Sequence, residues 1–228
     1  MRAIILAAGM GTRLRPITLT TPKSLIEVAK ETLIERQIRF LREKGIEEIV
    51  VVTGYLADKF NFLKDKYGVT LVHNEEYATY NNFYTMYLVR EYLEDSYVID
   101  ADNYLVHNFL KSELNHSAYF SAYKREFVNE WVLHTDEMDR VIDVTIETGE
   151  GPIMCGVSYW SQQDGKLLQE AINERFATGN FEEIYWDDIV VENLQQLTVK
   201  RVEISAEDTY EIDSLEDLEA LRKKVEHE

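Results

Sequence analysis

The chain contains a single cysteine, no long apolar run and no overall excess of positive charge. One cysteine among 228 residues, Cys155, excludes an internal disulfide bond and indicates a reducing compartment. Its simplest role is that of a small buried apolar residue. The apolar stretch from Ala3 to Ala8 is short for a signal peptide, and no stretch approaches the roughly 20 apolar residues of a membrane span. We therefore expect a cytoplasmic protein without a membrane partner.

Positive charge is scarce overall but concentrated in the first part of the chain. The formal net charge of −18 argues against nucleic acid or an anionic membrane as a partner. Residues 1–44 nevertheless carry nine Lys or Arg and four Asp or Glu, a net charge of +5, whereas the remaining residues carry −23. Acidic faces that aid solubility explain the negative part but not the local positive charge. An anion site within the first 44 residues is the simplest explanation.

Strand and helix signals alternate along the first half of the chain. Short apolar runs predict strands, and helical periodicity predicts helices, one of which is opened by the capping box Thr32-x-x-Glu35. The predicted strands are 3–8, 48–53, 69–72 and 97–101; the predicted helices follow Thr32 and cover 57–67, 82–93, 162–176, 186–197 and 215–225. This alternation predicts an α/β fold with a Rossmann-like, mainly parallel sheet and helices on both faces, in three layers.

Residues 117–160 show a different pattern, in which β-rich stretches are separated by turn signals such as 148–152. They predict antiparallel strands that extend the sheet or form a lid. A length of 228 residues and a hydrophobic fraction of 45% suit one domain, which we expect to span residues 1–228.

A glycine-containing loop follows the first predicted strand. Gly9 and Gly11 let backbone N–H groups approach a polyphosphate, and Arg13 and Lys23 bring two cations to the same place. The loop lacks the third glycine of a dinucleotide fingerprint, because Leu14 stands there, and it lacks the Gly-Lys-Ser/Thr ending of a P-loop. The loop therefore predicts a nucleoside triphosphate site of another kind.

The complete run is far more specific than its glycines: it reads GxGTRLxPxT over residues 9–18 and PKxL over residues 22–25. In this run the chain resembles the nucleotidyltransferase superfamily, whose members activate sugar phosphates and choline phosphate with nucleoside triphosphates. The resemblance extends over essentially the whole chain. It implies base and ribose contacts from Leu6, Ala8 and Gly9, phosphate contacts from Gly11 and Arg13, and a place for Lys23 near the α-phosphate and the incoming group.

Two acidic segments are candidate metal ligands. Asp100-x-Asp102 follows a buried strand, where carboxylates can hold Mg²⁺ beside substrate phosphates, and Glu211-x-Asp213 lies near the C-terminus. Asp213 has an alternative role in the cap of the last helix. The resemblance implies that Asp102 and Asp213 hold the metal, with Glu211 as an assisting neighbour. The histidines show no zinc-like spacing, and we interpret all five as structural or surface residues: His73, His107, His116, His134 and His227.

These residues suffice for phosphoryl chemistry. A phosphomonoester has a second pKa near about 6, so it is mostly dianionic at pH 7 and needs no general base. The obstacle is repulsion between this dianion and the triphosphate. Mg²⁺ on Asp102 and Asp213, together with Arg13 and Lys23, would offset that charge and align attack on the α-phosphorus. We therefore expect Arg13, Lys23, Asp102 and Asp213 to be the catalytic residues.

The three tryptophans all lie in the second half of the chain, and two have acidic neighbours, in Glu130-Trp131 and in Tyr185-Trp186-Asp187-Asp188. Aromatic rings edged with carboxylates attract a quaternary ammonium through cation–π interactions. Tryptophans in the core and acidic residues in solvent are the alternative interpretation. Both interpretations stay open at the level of composition.

Three segments resemble the bacterial choline-phosphate cytidylyltransferase branch: 80–84, 129–131 and 185–187. The resemblance places Trp131 and Tyr185 around the choline group and the pair Asn81-Asn82 near the cytosine, with Asn82 as the expected base-reading residue. Asp187, or its neighbour Asp188, would supply negative charge beside the choline, and Glu211 would lie on the same side. Sugar-activating relatives carry a Glu-Lys-Pro segment, whereas this chain has Tyr-Lys-Arg-Glu at 123–126, which argues against a sugar acceptor.

The sequence thus predicts an Mg²⁺-dependent enzyme that converts CTP and phosphocholine to CDP-choline and pyrophosphate. Residues 1–116 would hold the nucleotide and residues 117–228 the acceptor. Three alternatives stay open: the same chemistry on phosphoethanolamine, an aminophosphonate or a sugar 1-phosphate; a nucleotide sensor without catalysis; and a nicotinamide oxidoreductase, which the incomplete fingerprint disfavours. The oligomeric state does not follow from the sequence.

Overall fold

The computed structural model describes residues 1–225, so His227 lies outside the described part of the chain. The described strands are β1 (Arg2–Ala7), β2 (Glu27–Val28), β3 (Glu31–Thr32), β4 (Ile49–Thr53), β5 (Thr70–His73), β6 (Ser96–Asp100), β7 (Asn103–Leu105), β8 (Ser117–Thr135), β9 (Val141–Trp160), β10 (Val199–Ile204) and β11 (Thr209–Glu211). The described α-helices are α1 (Leu33–Glu43), α2 (Phe62–Tyr67), α3 (Asn82–Val89), α4 (Gln162–Thr178), α5 (Trp186–Asn193) and α6 (Leu215–Val225). None of these helices is long and apolar enough to cross a membrane.

A seven-stranded mixed sheet forms the centre of the molecule, in the order β10-β8-β9-β6-β1-β4-β5. Strand β1 pairs in parallel with β4 and β6, and β4 pairs in parallel with β5. Side chains of β1 alternate between two buried clusters: Ile5 packs with Ile38 of α1 on one face, and Ile4 packs with Phe83 of α3 on the other. Helices therefore cover both faces, as the alternating pattern predicts.

Local sequence signals explain where the helices begin and end. The Thr32 hydroxyl accepts a hydrogen bond from the Glu35 N–H at 3.3 Å, which is the predicted cap of α1. At α6, the Ser214 hydroxyl accepts from the Asp217 N–H at 3.1 Å, and the Asp217 carboxylate accepts from the Ser214 N–H at 2.8 Å. The predicted helix 57–67 is instead divided into a 3₁₀ turn, 57–60, and the short helix α2.

Strands β8 and β9 form a long antiparallel pair that extends the sheet beyond β6. The prediction of a turn at 148–152 is wrong, because β9 continues through these residues and the chain reverses at 136–140 instead. There the Asp136 carboxylate accepts hydrogen bonds from the N–H groups of Met138 and Arg140, both at 2.9 Å. Gly149 and Gly151 lie opposite Phe127 and Lys124, where the pairing register shifts. The two glycines therefore accommodate strand irregularities rather than a reversal.

A short antiparallel ribbon of β7 and β11 forms a separate two-stranded sheet and joins distant parts of the chain. Just beyond it, the Ile212 N–H donates to the Asp102 carbonyl oxygen at 3.1 Å. A third buried cluster supports the ribbon, and it combines Leu14, Tyr104 and Ile212 with Leu218 of α6. This packing places residues 102 and 213 next to the loop that follows β1.

Candidate active site

The loop after β1 is shaped by one glycine and left open by another. Gly11 has a φ of +57°, and its carbonyl oxygen accepts hydrogen bonds from the Thr18 hydroxyl at 2.8 Å and the Leu14 N–H at 3.0 Å. A Cβ atom at Gly11 would lie 3.1 Å from the Cβ of Lys23, so the loop packs tightly against that lysine. A Cβ atom at Gly9 would meet nothing within 4 Å, and Gly9 borders a cavity.

This first cavity, of about 280 Å³, opens at the carboxyl ends of β1 and β6, as expected for a doubly wound sheet. It is lined by backbone and polar side chains of the loop and by three carboxylates: Ala7, Gly9, Gly11, Thr12, Arg13, Lys23, Ser24, Ala101, Asp102, Glu211 and Asp213. Leu6 and Ala8 are buried and do not border it, and Ala7 does. Contacts of Leu6 and Ala8 with base and ribose therefore remain a prediction.

Lys23 lies between the two predicted metal carboxylates. Its Nζ is 2.8 Å from Asp102 Oδ2 and 2.7 Å from Asp213 Oδ1. Arg13 Nη2 lies 2.9 Å from the second oxygen of Asp213. The structure thus brings together all four residues that the sequence predicts to be catalytic. The Asp213 carboxylate faces these cations, while the cap of α6 is supplied by Ser214 and Asp217.

The charges in this group change the proton affinities of its members. Burial alone would lower the pKa of Lys23, but the ion pairs with Asp102 and Asp213 outweigh it and raise this pKa. Burial likewise favours the neutral form of Asp213, but the hydrogen bond and charge of Lys23 hold its pKa below the ordinary value. Removal from water and then the negative charges of Asp102 and Asp213 raise the pKa of Glu211 to about 8. A further cation is therefore favoured at this cluster.

Asp102, Glu211 and Asp213 offer carboxylate oxygens that all lie within 4.8 Å of one another. Hard divalent cations prefer such oxygen donors, and the lysine amine already shows that a cation fits between Asp102 and Asp213. The donor set therefore fits a divalent metal ion. Glu211, predicted on the acceptor side, is a third potential ligand.

A second cavity, also of about 280 Å³, adjoins the first, and both are bordered by Asp102 and Glu211. Its other lining residues are Asn82, Asp100, Asn103, Glu130, Trp131, Met154, Gly156, Tyr185 and Asp187. The rings of Trp131 and Tyr185 face each other edge to face with centroids 6.3 Å apart. The carboxylates that border both cavities thus lie between the cationic glycine loop and an aromatic, acidic compartment.

Two carboxyl groups in the second cavity have pKa values above those of ordinary aspartates. Burial, followed by the charges of Asp102 and Asp187, raises the pKa of Asp100 well above its ordinary value. Burial also raises the pKa of Asp187 to about 7, despite a hydrogen bond from the Tyr119 hydroxyl. A cation placed in this cavity would favour ionisation of both groups, so the compartment is suited to a positively charged ligand.

The tryptophans divide between the two interpretations that the sequence leaves open. Trp131 borders the second cavity, whereas Trp160 and Trp186 are buried in the core. Asn82 also borders the second cavity, not the first, and its side-chain oxygen accepts a hydrogen bond from the backbone N–H of Trp186 at 2.9 Å. Its neighbour Asn81 donates to the Glu183 carbonyl oxygen at 2.6 Å. The asparagine pair thus holds the segment that carries Tyr185, and base reading by Asn82 stays a prediction.

Two site residues are not specified by any motif of the sequence, since Ser24 stands at the variable position of PKxL and Gln37 lies outside the motifs. Ser24 is buried beside Lys23, borders the first cavity, and its hydroxyl has no hydrogen-bond partner among the described residues. Gln37 of α1 donates to the carbonyl oxygens of Asp100 and Asn103 at 3.0 and 2.8 Å and so fixes the turn that carries Asp102. A polar residue on the buried face of an amphipathic helix was the available signal for Gln37.

Comparison with known proteins agrees with this geometry. A family model described as nucleotidyl transferase matches residues 2–131. A choline-phosphate cytidylyltransferase from Streptococcus pneumoniae is 46% identical over 228 residues, which is 100% of both chains. A 2-aminoethylphosphonate cytidylyltransferase from Lancefieldella rimae is 32% identical over 96% of this chain and 90% of its own. The solved structure of the CTP:phosphocholine cytidylyltransferase from Streptococcus pneumoniae matches with a TM-score of 0.96 and 46% identity over 98% of each chain.

The chain therefore belongs to the nucleotidyl transferase family, and the resemblance inferred from residues 9–25 is confirmed. The predicted Rossmann-like α/β architecture is confirmed as well, both by the sheet order and by the matching solved structure. Members of this family generally use a divalent metal ion, and Asp102, Glu211 and Asp213 form a cluster that could hold one.

Proposed function

We propose that this protein is a cytidylyltransferase that converts CTP and phosphocholine to CDP-choline and pyrophosphate. The observation that carries the proposal is the pair of adjoining cavities that share Asp102 and Glu211. One cavity has the glycine loop and two cations that suit a triphosphate, and the other has aromatic rings and carboxylates that suit a quaternary ammonium. Relatives with this activity in their names, at 46% identity over the whole chain, support the same conclusion.

The reaction follows from the placement of charge. A phosphate oxygen of phosphocholine attacks the α-phosphorus of CTP; the new O–P bond forms while the bond from the α-phosphorus to the bridging oxygen breaks, and pyrophosphate leaves with that electron pair. Lys23 and Arg13 lie at the border of the first cavity, where they offset the negative charge of the phosphates. The acceptor phosphate is already a dianion at neutral pH, so no residue needs to remove a proton.

We propose Mg²⁺ as the metal, held by Asp102 and Asp213 with Glu211 beside them. When bound there it supplies charge neutralisation for the triphosphate and the acceptor dianion. Gly9, Gly11, Arg13 and Lys23 would contact the nucleotide from residues 1–116, and Trp131, Tyr185 and Asp187 would hold the choline group from residues 117–228. Asn82, Asp100 and Asn103 border the acceptor cavity from the first part, so the two parts interlock at this wall.

Trp131 and Tyr185 would enclose the trimethylammonium group. Each well-placed ring contributes about 0.5–2 kcal/mol to binding of a cation. Glu130 and Asp187 would add negative charge around it. The main competing acceptor is 2-aminoethylphosphonate, which the name of the Lancefieldella rimae relative contains. Its primary ammonium group would favour direct hydrogen bonds to carboxylates over contacts with aromatic rings.

The proposal is tested by pyrophosphate release with CTP, Mg²⁺ and a panel of acceptors: phosphocholine, phosphoethanolamine, 2-aminoethylphosphonate and glucose 1-phosphate. We expect the highest kcat/KM for phosphocholine and a loss of that preference in Trp131→Ala, whose KM for CTP should stay unchanged. The matched control is Trp131→Phe, which keeps an aromatic ring at the same position. A variant of Trp160 would be unsuitable, because that residue lies in the core. A preference for a primary ammonium acceptor would refute the choline assignment.

Catalysis itself is tested by Asp102→Asn and Asp213→Asn. Both variants should release almost no pyrophosphate, because each removes a carboxylate that would hold the metal ion, and the metal ion would neutralise the phosphate charge. Normal Tm values would show that the fold is intact. A wild-type protein that binds CTP but releases no pyrophosphate with any acceptor of the panel would instead be a nucleotide sensor.

A further inference from the structure

A buried tyrosine lies beneath the second cavity. Tyr119 of β8 is 2% exposed, and its hydroxyl donates a hydrogen bond to Asp187 Oδ1 at 2.8 Å. Tyr119 and Asp187 also border a narrow recess below that cavity, together with Asp100, Met154 and Gly156. The family motifs in the sequence do not include Tyr119, and the proposed reaction has not yet used it.

The tyrosine ring has little freedom to move. It packs edge to face on Trp160, with centroids 5.4 Å apart and planes at 90°. Trp160 in turn packs edge to face on Trp186 at 5.5 Å and 88°. Trp186 is the neighbour of Asp187 at the start of α5. Both ends of the Tyr119–Asp187 hydrogen bond are therefore fixed by the same column of buried rings.

The charges around Asp187 work against its ionised form. It lies beside Asp188 on α5 and near Asp100 at the end of β6, and Glu130 and Glu211 border the same cavity. Burial is the main cause that raises the pKa of Asp187, Asp188 adds to it, and the hydrogen bond from Tyr119 opposes both. A carboxyl group that is protonated at neutral pH would lose its attraction for a cationic ligand.

We propose that Tyr119 is a positioning residue for the acceptor: its hydroxyl holds the Asp187 carboxylate in place as an anion that attracts the cationic head group. The inference rests on the proposed function in one respect, the positive charge of the acceptor. It applies equally to phosphocholine and to 2-aminoethylphosphonate.

The experiment compares Tyr119→Phe with Tyr159→Phe. Tyr159 is a matched control, because it is also a buried tyrosine whose hydroxyl donates to an aspartate, Asp95 Oδ1, at 2.7 Å. It packs in the other core cluster and borders neither cavity. We expect Tyr119→Phe to raise the KM for phosphocholine about tenfold at pH 7, as a charge-assisted hydrogen bond is lost, with little change in the KM for CTP. Tyr159→Phe should leave both KM values unchanged.

Two further readouts separate positioning from a structural role. The analogue 3,3-dimethylbutyl phosphate replaces the quaternary nitrogen of phosphocholine by carbon, so its head group is neutral. As a competitive inhibitor it should bind Tyr119→Phe and the wild type with equal affinity. The phosphocholine KM of Tyr119→Phe, divided by that of the wild type, should also decrease from pH 7 to pH 9. Removing the hydroxyl raises the pKa of Asp187, and higher pH restores its negative charge. Comparing the two proteins at each pH cancels the titration of the substrate phosphate.

The outcomes are separable from those of the acceptor panel. If the wild type prefers another cationic acceptor, the same comparison is made with that acceptor and the role of Tyr119 is still tested. Equal weakening of phosphocholine and its neutral isostere, or equal effects of Tyr119→Phe and Tyr159→Phe, would overturn the inference. A lowered Tm in both variants with unchanged acceptor KM would overturn it as well.

Discussion

At the scale of single residues, the two glycines of the glycine loop after β1 have separable roles. Gly11 needs a positive φ and lies against Lys23, whereas Gly9 has open space where a side chain would stand. Gly11→Ala should therefore lower the free energy of unfolding by about 1 kcal/mol or more. Gly9→Ala should leave stability unchanged but raise the KM for CTP, because its methyl group would enter the first cavity. Thermal unfolding and CTP kinetics on both variants check this division.

An opposite pattern, with Gly9→Ala unstable and Gly11→Ala defective only in CTP binding, would contradict the loop geometry. The family pattern cannot distinguish these two positions, because it only specifies glycine at both. The distinction comes from φ and from neighbouring atoms.

Lys23 lies between Asp102 and Asp213, which we propose as metal ligands. A metal ion held by both carboxylates would have to displace the lysine amine, and the negative charge of a bound triphosphate would favour that displacement. We expect Lys23→Met to lose turnover but to bind Mn²⁺ about tenfold more tightly than the wild type without nucleotide, since the competing cation is gone. Electron paramagnetic resonance of free Mn²⁺ measures this affinity.

Arg15→Gln is the control for Lys23→Met, because it also removes one positive charge from the same segment, but at an exposed position. It should leave Mn²⁺ affinity nearly unchanged. Unchanged or weaker Mn²⁺ binding in Lys23→Met would show that the lysine does not compete with the metal.

The sequence predicts a shared location for residues whose chemistry belongs to a recognisable motif. Arg13, Lys23 and Asp102 do border one cavity, while their catalytic roles stay predictions. Ser24 escaped prediction because nothing in the local sequence distinguishes a serine that borders a cavity from an ordinary surface residue. Gln37 gave a signal, as a polar residue on the buried face of α1, but that signal does not show which turn it holds.

At the scale of elements, the bulge in β9 shapes the wall of the second cavity. The register of β8 and β9 shifts between Tyr119 and Ser121, and Gly156 in the shifted part has a φ of +67°. A Cβ atom there would lie 2.2 Å from Asn103 Nδ2 and 3.1 Å from Asp100 Oδ2. Gly156→Ala should therefore displace Asn103 and lower the free energy of unfolding by about 2 kcal/mol or more.

Gly179 provides the control for this prediction. It ends α4 with a φ of +72°, but a Cβ atom there would meet nothing within 4 Å. Gly179→Ala should cost only the backbone strain of about 1 kcal/mol. Chemical denaturation of both variants gives the comparison, and equal losses would show that the contact with Asn103 is unimportant.

Elements were predictable in type but not always in their connections. The capping box at Thr32 and the cap at Ser214 gave correct helix starts. The wrong turn at 148–152 arose because glycines in a strand irregularity and glycines in a reversal look alike in sequence. The ribbon of β7 and β11 was not predicted, since three-residue strands carry almost no pattern.

At the scale of the whole molecule, acidic groups decide how stability depends on pH. The pKa of Asp187, raised to about 7 by burial and then by Asp188, lies above its unfolded value. The folded state therefore binds more protons than the unfolded state between about pH 4 and pH 7, and stability falls as pH rises through this window. The net charge of −18 adds repulsion in the same direction.

We therefore expect the ligand-free protein to have a lower Tm at pH 8 than at pH 6, and Asp187→Asn to reduce that difference. Thermal unfolding at several pH values measures both quantities. A control variant, Asp65→Asn, changes an exposed carboxylate on α2 and should leave the difference unaltered. A Tm that rises from pH 6 to pH 8 would contradict the sign of this argument.

The ribbon of β7 and β11 has a consequence for the order of folding. It pairs residues 103–105 with residues 209–211, and this pairing brings Asp213 to Asp102. Contacts between segments so far apart in the sequence carry a large loop-closure entropy, so we expect them to form after the local turns of the glycine loop. A partly folded chain would therefore have its glycine loop before the two acids meet.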